Sequence, residues 1–186
     1  VVRYGNVINS RGSVIPIFKE IGANLDTLVT SSGLSGVHHG IKAGFNTTAT
    51  GLDSIWSNTK INTVVIATRH NQHASQVLEA IESGKNVYVE KPLALKLEEI
   101  DAIDFAFQKT NENRAEHLHL MVGFNRRFAP HILKLKSLID SSREPKAVVI
   151  TVNAGLIEAN HWTQDPDIGG GRIIGEACHF IDLCSY

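Results

Sequence analysis

The triplet Glu90-Lys91-Pro92 places a lysine where it could act on a bound molecule. The triplet directly follows the run Asn86-Val87-Tyr88-Val89, which predicts a short β-strand, and open α/β sheets bind ligands at the carboxyl ends of their strands. A proline ends the strand, and a cis peptide bond before it would turn the Lys91 side chain sharply into that crevice. A solvated lysine in a turn is an equally good interpretation of these three residues alone.

A second group of chemically useful residues follows the three glycines at positions 169–171. The glycines allow the backbone to pass close to a ligand before a helix begins. On that helix Glu176, His179 and Asp182 are spaced i, i+3, i+6 and share one side. A neighbouring carboxylate fixes the tautomer of a histidine and raises its pKa, so we expect His179 to transfer a proton. The alternative is a helix whose polar edge touches water.

The elements that position these residues follow an alternating pattern up to about Gly123. Short β-branched runs predict strands over residues 25–29, 63–67, 86–89 and 118–122, and apolar spacing predicts helices over residues 17–21, 53–56, 74–81 and 97–107. The run at residues 63–67 is apolar without alternation, as expected for a strand covered by helices on both faces. The pattern predicts an α/β fold with a doubly wound parallel sheet.

The pattern changes after residue 128. Residues 130–139 predict a linking helix, residues 146–153 a mostly buried strand, and residues from Ile173 to the end an apolar helix. We therefore divide the chain into a first domain, residues 1–128, and the beginning of a second α+β domain, residues 129–186. One strand cannot form a sheet alone, so we expect this second domain to be truncated and to expose apolar surface.

The composition excludes several classes of protein. The 186 residues are 42% hydrophobic and 20% charged with a formal net charge of -1. Proteins that bind nucleic acid or a membrane surface need a concentrated basic face, so the near-neutral charge argues against both functions. No apolar run approaches the roughly 20 residues of a membrane span, and the two cysteines, Cys178 and Cys184, are interpreted as buried thiols. The expected location is cytoplasmic.

A metal site is a further alternative for the second group of residues. Glu176, Cys178 and His179 are close in sequence, and His161 and Asp165 lie on the preceding loop. Their spacing matches no zinc motif, and Cys178 points away from its neighbour His179 on a helix. We therefore expect no metal.

Four segments, in this order, resemble the Gfo/Idh/MocA oxidoreductase family over nearly the whole chain. They are TVVIAT at residues 63–68 with His73, the Glu90-Lys91-Pro92 triplet, GFNRRF at residues 123–128, and the triple glycine with His179 and Asp182. Details at residues 153–155, 161–162 and 175–176 are most similar to its bi-domain branch. The resemblance implies a Rossmann-like dinucleotide-binding domain followed by the start of a substrate domain.

The same resemblance implies hydride transfer between NAD or NADP and a secondary alcohol of a sugar, cyclitol or nucleotide-sugar-like substrate. Lys91 would hold the reacting hydroxyl and the nicotinamide ribose, and His179 would be the general base. Many family members carry an aspartate where Gly175 stands, and Glu176 would take over its role of orienting the histidine. The residues implied to bind the cofactor are Gly5, Asn6, Ser31, Ser32, Ala67, Thr68, Arg69, His70, His73, Glu90, Lys91, Asn125 and Arg126.

Two segments depart from the family pattern. If Gly5 is the second glycine of the phosphate-binding turn, Arg3 occupies the place of the first, where a large side chain would crowd the turn. Residues 30–32 contain no acid to bind a ribose 2′-hydroxyl, so NAD and NADP both remain open. For Arg69, and more so for His70, a polar loop residue that faces water is the alternative interpretation.

The alternative function is therefore a non-catalytic dinucleotide-binding relative or an inactive fragment. The partner expected from the resemblance is a small sugar or polyol, and a homo-oligomer formed through the second domain is also implied.

Overall fold

The computed structural model describes residues 18–31 and 33–186. The strands of this part are β1 (Thr27–Val29), β2 (Thr47–Ala49), β3 (Thr63–Ile66), β4 (Asn86–Val89) and β5 (Leu120–Val122). The helices are α1 (Gly33–Ala43), α2 (Asp53–Trp56), α3 (His73–Glu82), α4 (Leu97–Asn111), α5 (Pro130–Ile139) and α6 (Cys178–Ser185). Strand β1 pairs with β2, β4 lies between β3 and β5, and every pair is parallel.

The main core lies between the three-stranded sheet and the helices that follow its strands. Val64 and Ile66 of β3 and Val87 and Val89 of β4 are buried. Helix α3 repeats apolar residues at helical spacing, and its face toward the sheet buries Val77 and Ile81 completely. The parallel strands and their covering helices confirm the α/β fold predicted from the alternating pattern.

The turn after α3 sets β4 beside β3. Gly84 has φ of +72°, a left-handed conformation that favours glycine, and its N–H donates to the carbonyl of Ile81 at 2.9 Å. The N–H of Lys85 reaches back to the carbonyl of Ala80 at 3.0 Å. This double closure ends the helix and returns the chain to the start of β4, which pairs with β3 from its first residue.

Three loops meet at the carboxyl edge of this sheet because its strands are parallel. The loop after β3 contains the 3₁₀ turn His70–Gln72, and the loop after β4 contains Lys91. The loop after β5 leads into the 3₁₀ turn Asn125–Phe128. The fold thus brings together three of the segments that the sequence singled out.

The predicted strand over residues 146–153 is wrong. Residues 145–158 contain neither helix nor strand, and Val149 is 91% exposed. An apolar β-branched run has the composition of a strand, but a strand needs a neighbour for its backbone hydrogen bonds, and no described segment pairs with this one. The exposed apolar surface that we expected here and on the last helix, where Ile181 is exposed, is present.

Other predictions are confirmed or corrected within the described residues. Helices α2 and α5 have the predicted bounds, and residues 18–20 are helical, whereas Ile17 lies outside the described part. The predicted last helix begins instead with a π-helical segment, Ile173–Ala177, before α6. Cys184 is exposed and Cys178 is half-buried, so the interpretation of both as buried thiols is wrong.

Helix α1 and strand β2 were not predicted. The division of the chain at residue 128 stays a prediction. No helix within residues 18–31 or 33–186 is long and apolar enough to cross a membrane.

Replacing Ile81 by alanine tests where the core lies. Ile81 is fully buried, so Ile81→Ala should lower the free energy of unfolding by about 2 to 5 kcal/mol, measured by urea denaturation. Val149→Ala is the matched control, because its side chain is exposed and should change stability by less than about 0.5 kcal/mol. Equal losses in both variants would contradict this assignment of the core.

Candidate active site

Lys91 directly follows β4 and is half-buried at the carboxyl edge of the three-stranded sheet. The Lys91–Pro92 peptide bond is cis, the geometry that the sequence suggested. The Lys91 ammonium donates a hydrogen bond to the carbonyl oxygen of Gly175 at 2.5 Å. The lysine is thereby fixed at the contact between the sheet and the helical segment that precedes His179.

The buried ring of His73 joins the loops that follow β3 and β4. Its Nδ1 lies 2.7 Å from the carbonyl oxygen of Pro92, and its Nε2 lies 3.1 Å from that of Thr68. Both oxygens are acceptors, so a neutral ring donates to one of them at a time. With its side chain buried and both nitrogens facing protein carbonyls, His73 supports the loops that line the site.

His70 joins the loop after β3 to the glycine-rich turn. Its Nδ1 lies 2.7 Å from the carbonyl oxygen of Gly169, and the N–H of Asn71 donates to the carbonyl of Ile168 at 3.1 Å. The ring also packs edge-on against Trp162 at 4.9 Å between centroids. Burial is the main cause that lowers the pKa of His70. The alternative of a water-facing loop residue is therefore wrong for His70.

The glycine-rich turn depends on its glycines for two separate reasons. A Cβ atom on Gly169 would lie 2.4 Å from the Cα atom of Thr163, so the two backbone segments leave no room for a side chain. Gly170 and Gly171 have φ of +76° and +69°, which side-chain-bearing residues rarely adopt. The turn brings the following helical segment close to Lys91, whose ammonium contacts the Gly175 carbonyl.

His179 lies in the first turn of α6 and lines the same cavity as Lys91. This cavity, of about 400 Å³, is hereafter called the cavity, and His70, Arg126 and Trp162 also line it. The His179 ring is buried, and its Nδ1 has no hydrogen-bond partner among the described residues. The structure therefore brings together on one cavity the three residues predicted to be catalytic, Lys91, His179 and Glu176.

The predicted rise in the pKa of His179 is wrong. Burial, followed by the positive charges of Lys91 and Arg126, lowers this pKa to about 4, and the carboxylates of Asp182 and Glu176 offset only part of that effect. The imidazole is therefore neutral at pH 7 and free to accept a proton.

The carboxylate of Glu176 faces Arg172 instead of His179. It accepts hydrogen bonds from the Arg172 Nε atom at 3.1 Å and from a terminal guanidinium nitrogen at 2.8 Å. Residues four apart lie on the same face of a helix, and here Glu176 pairs with Arg172 and not with His179, which is three residues away. The predicted orienting contact is corrected accordingly, although Glu176 still lines the cavity.

Asp182 joins α6 to the Asn125–Phe128 turn. Its buried carboxylate accepts two hydrogen bonds from Arg127, one of them at 2.6 Å from Nε. A bidentate pair of this kind fixes orientation as well as distance. The hydrogen bonds to Asp182 raise the pKa of Arg127. The pair thus holds α6, and His179 with it, against the Asn125–Phe128 turn.

The neighbouring Arg126 has no carboxylate partner among the described residues. Its guanidinium lies over the ring of Phe180, 4.7 Å from the centroid, and the residue is exposed at the edge of the cavity. Asn125, on the same turn, is also exposed.

A separate groove of about 210 Å³ runs across the carboxyl ends of β1, β2 and β3 and is hereafter called the groove. Its polar lining is uncharged and consists of Thr30, Ser31, Thr50, Thr68, Gln72 and Gln76. Thr68 and Gln72 face the groove, whereas His70 between them faces the cavity. One extended molecule could therefore contact both sides of this loop.

The remaining predicted cofactor residues have varied surroundings. Ala67 is half-buried at the start of the loop, and the exposed Arg69 lies over the Trp162 ring, 5.8 Å from its centroid. Glu90 accepts a hydrogen bond from the Tyr88 hydroxyl at 3.4 Å. Gly5, Asn6 and Ser32 lie outside the described residues. Contact of any of these residues with a cofactor stays a prediction.

The hydrogen-bonding groups of the groove and the cavity are of the kinds that a nicotinamide dinucleotide needs. The groove offers hydroxyl and amide groups suited to a ribose, and the Lys91 ammonium has two further N–H bonds besides the one that Gly175 accepts. In the described part of the chain, no group of three or more His, Cys, Asp or Glu side chains is placed to hold a metal ion.

Trp162 and Arg172 are site residues whose roles were not predicted. Trp162 contacts both His70 and Arg69, but its sequence neighbourhood carries only a faint signal, the polar stretch before the triple glycine. Arg172 could have been found from its i, i+4 spacing to Glu176.

A parallel α/β sheet with a groove at the carboxyl ends of its strands is the arrangement in which dinucleotide-binding proteins hold their cofactor. The comparison with known families agrees: the Gfo/Idh/MocA model, described as an oxidoreductase family with an NAD-binding Rossmann fold, matches residues 18–124. The chain belongs to this family, which confirms the resemblance seen in its motifs. A model described as a polysaccharide biosynthesis protein matches residues 1–33, so Gly5 and Asn6 lie in a segment outside the oxidoreductase match.

Individual relatives support the same assignment. Oxidoreductase P35 of Formosa agariphila is 34% identical over 158 residues, which are 80% of this chain and 46% of that protein. The scyllo-inositol 2-dehydrogenase (NAD(+)) of Bacillus subtilis is 38% identical over 129 residues, 68% of this chain and 35% of that protein. Levoglucosan dehydrogenase in complex with NADH and levoglucosan is 25% identical with a TM-score of 0.72, over 93% of this chain and 48% of that chain. The chain thus spans about half the length, or less, of these relatives.

The low pKa of His179 makes stability depend on pH in a defined direction. The folded protein holds this pKa at about 4 and the unfolded chain near 6.5, so between these values the unfolded state binds more protons. As the pH falls from 6.5 to 4, the wild type should lose up to about 3 kcal/mol of unfolding free energy that His179→Gln keeps. Urea denaturation across this range measures the difference.

The exposed His38→Gln is the matched control and should follow the wild type over the same pH range. Parallel curves for the wild type and His179→Gln would contradict the assigned environment of His179.

Proposed function

We propose that this protein transfers a hydride between a nicotinamide cofactor and a secondary alcohol of a sugar or cyclitol. The observation that carries the proposal is the convergence of Lys91 and His179 on one cavity from two different parts of the chain. Relatives named as inositol and levoglucosan dehydrogenases support the substrate class. A molecule used only for binding would need neither a fixed ammonium nor a neutral buried imidazole at this position.

The proposed cofactor would lie across the loop after β3. Ser31 and Thr68 in the groove would hold its ribose end, and Lys91 would hold the ribose next to the nicotinamide. The bound cofactor supplies the hydride acceptor or donor; positioning and proton transfer fall to the protein. Among the described residues that line the groove there is neither an acid for a ribose 2′-hydroxyl nor a cation for a 2′-phosphate.

Lys91 stabilises the negative charge that develops on the substrate oxygen. One of its N–H bonds is held by the Gly175 carbonyl, which leaves two for the substrate and the ribose. A donor that is fixed before reaction needs no reorganisation when charge develops, and this preorganisation accounts for much of electrostatic catalysis.

His179 takes the hydroxyl proton during oxidation. It is neutral at pH 7, so it has an open site for the proton, but a pKa of about 4 makes it a weak base in the empty site. The stabilisation of the alkoxide by Lys91 compensates for this weakness, because the proton leaves a more acidic hydroxyl. The two residues therefore depend on each other.

Variants of these two residues test the proposal. With NAD⁺ or NADP⁺ and a panel of myo-inositol, scyllo-inositol, levoglucosan and D-glucose, Lys91→Ala should lower kcat by about 10²- to 10³-fold. His179→Gln should lower it by about 10²-fold or more and change NADH affinity, measured by fluorescence titration, by less than about threefold. Lys91→Ala also loses the contact to the ribose, so its NADH affinity should fall by about tenfold, much less than its turnover. The exposed Lys109→Ala is the matched control.

Wild-type turnover in either variant would remove that residue from the mechanism. Cofactor binding with no turnover on any polyol would favour the alternative of a non-catalytic dinucleotide-binding relative.

A further inference from the structure

We propose that the substrate is a polyol that carries a carboxylate, such as a uronic or aldonic acid, and that Arg126 binds this carboxylate. The inference rests on the proposed function and narrows its substrate class. It comes from the charges that line the cavity and from the place of Arg126 in the sheet order.

The cavity has more positive than negative charge. Lys91, Arg126 and Arg172 line it together with one carboxylate, that of Glu176. Arg172 and Glu176 form an ion pair at 2.8 Å and offset each other. Within the described part of the chain, Lys91 and Arg126 form no ion pair with a carboxylate. Lys91 is needed for the reacting oxygen, so Arg126 is the surplus charge.

Histidines do not change this balance at neutral pH. Burial lowers the pKa of both His70 and His179, so both rings are neutral at pH 7. A site with an unpaired cation, whose one carboxylate is already paired with another cation, attracts an anion and discriminates against a neutral molecule of the same shape.

The guanidinium of Arg126 is suited to a carboxylate. Its Cζ atom lies over the Phe180 ring, and this contact restrains the group while its N–H bonds stay available. Two parallel hydrogen bonds from one edge of a guanidinium match the two oxygens of a carboxylate. Because Arg126 is also one of the causes of the low pKa of His179, a carboxylate bound to it would make His179 a better base.

The phosphates of the cofactor are the rival anions, and the sheet order argues against them. The groove lies at the ends of β1 to β3, whereas Arg126 follows β5, and β4 separates β5 from β3. At a strand spacing of about 4.8 Å, Arg126 is displaced by roughly 10 Å from β3, to the far side of Lys91. A substrate held by Lys91 and His179 is the molecule that reaches it.

The test compares acids with matched neutral sugars on the full chain loaded with NADH. D-glucuronate and D-galacturonate, against D-glucose and D-galactose, are titrated by calorimetry at low and high salt. We expect the acids to bind about tenfold tighter or more, with a preference that shrinks at high salt. Arg126→Gln should abolish the preference and leave NADH affinity unchanged. The exposed Arg143→Gln is the matched control and should keep the preference.

Equal affinity for acids and neutral sugars, or no binding of the acids by NADH-loaded protein, would overturn the inference. Loss of NADH affinity in Arg126→Gln would also overturn it, because Arg126 would then belong to the cofactor site. A wild-type chain that binds no NADH would contradict the proposed function and this inference with it. NADH binding without a preference for acids would contradict the inference alone.

Discussion

The arrangement of the site depends on the buried imidazole of His73. Its ring nitrogens lie against the carbonyls of Thr68 and Pro92, so a single side chain fixes the loops after two neighbouring strands. One loop carries His70 and separates the groove from the cavity, and the other carries Lys91. If the ring were lost, both carbonyls would be left without this partner and the two loops would be free to move relative to each other. His70 and Lys91, which line the cavity, are therefore positioned by a side chain that does not line it.

Three hydrogen bonds hold the glycine-rich turn and the helix after it against these loops. The Gly169 carbonyl contacts the His70 ring, the Gly175 carbonyl accepts from Lys91, and the Asp182 carboxylate accepts from Arg127. Together they bring a buried histidine beside two cations, which is unfavourable for a charged imidazole and keeps His179 neutral. The same contacts that position His179 thus set its protonation state. Strain at the left-handed glycines is avoided because those positions carry no side chain.

Much of this could be predicted from local sequence, because the signals were local. A few consecutive residues are enough to recognise the apolar run of β3, the helical spacing of α3 and the proline that begins α5. Helix α1 escaped prediction because its sequence, GLSGVHHGIKA, contains three glycines and two histidines, and β2 is only three residues long. The two main errors, the strand over residues 146–153 and the pKa of His179, concern properties that depend on residues distant in sequence.

Residues 146–153 have the composition of a strand but lack a neighbour. The carboxylates near His179 in sequence suggested a raised pKa, whereas burial, followed by the charges of Lys91 and Arg126, which are distant in sequence, lowers it. The most direct test of the account is a crystal structure of the protein with NADH. We predict the adenosine end beside Ser31 in the groove and the nicotinamide ring between Lys91 and His179, with the loop at residues 68–72 beneath the molecule. A dinucleotide bound away from this loop, or with its nicotinamide outside the cavity, would contradict the account.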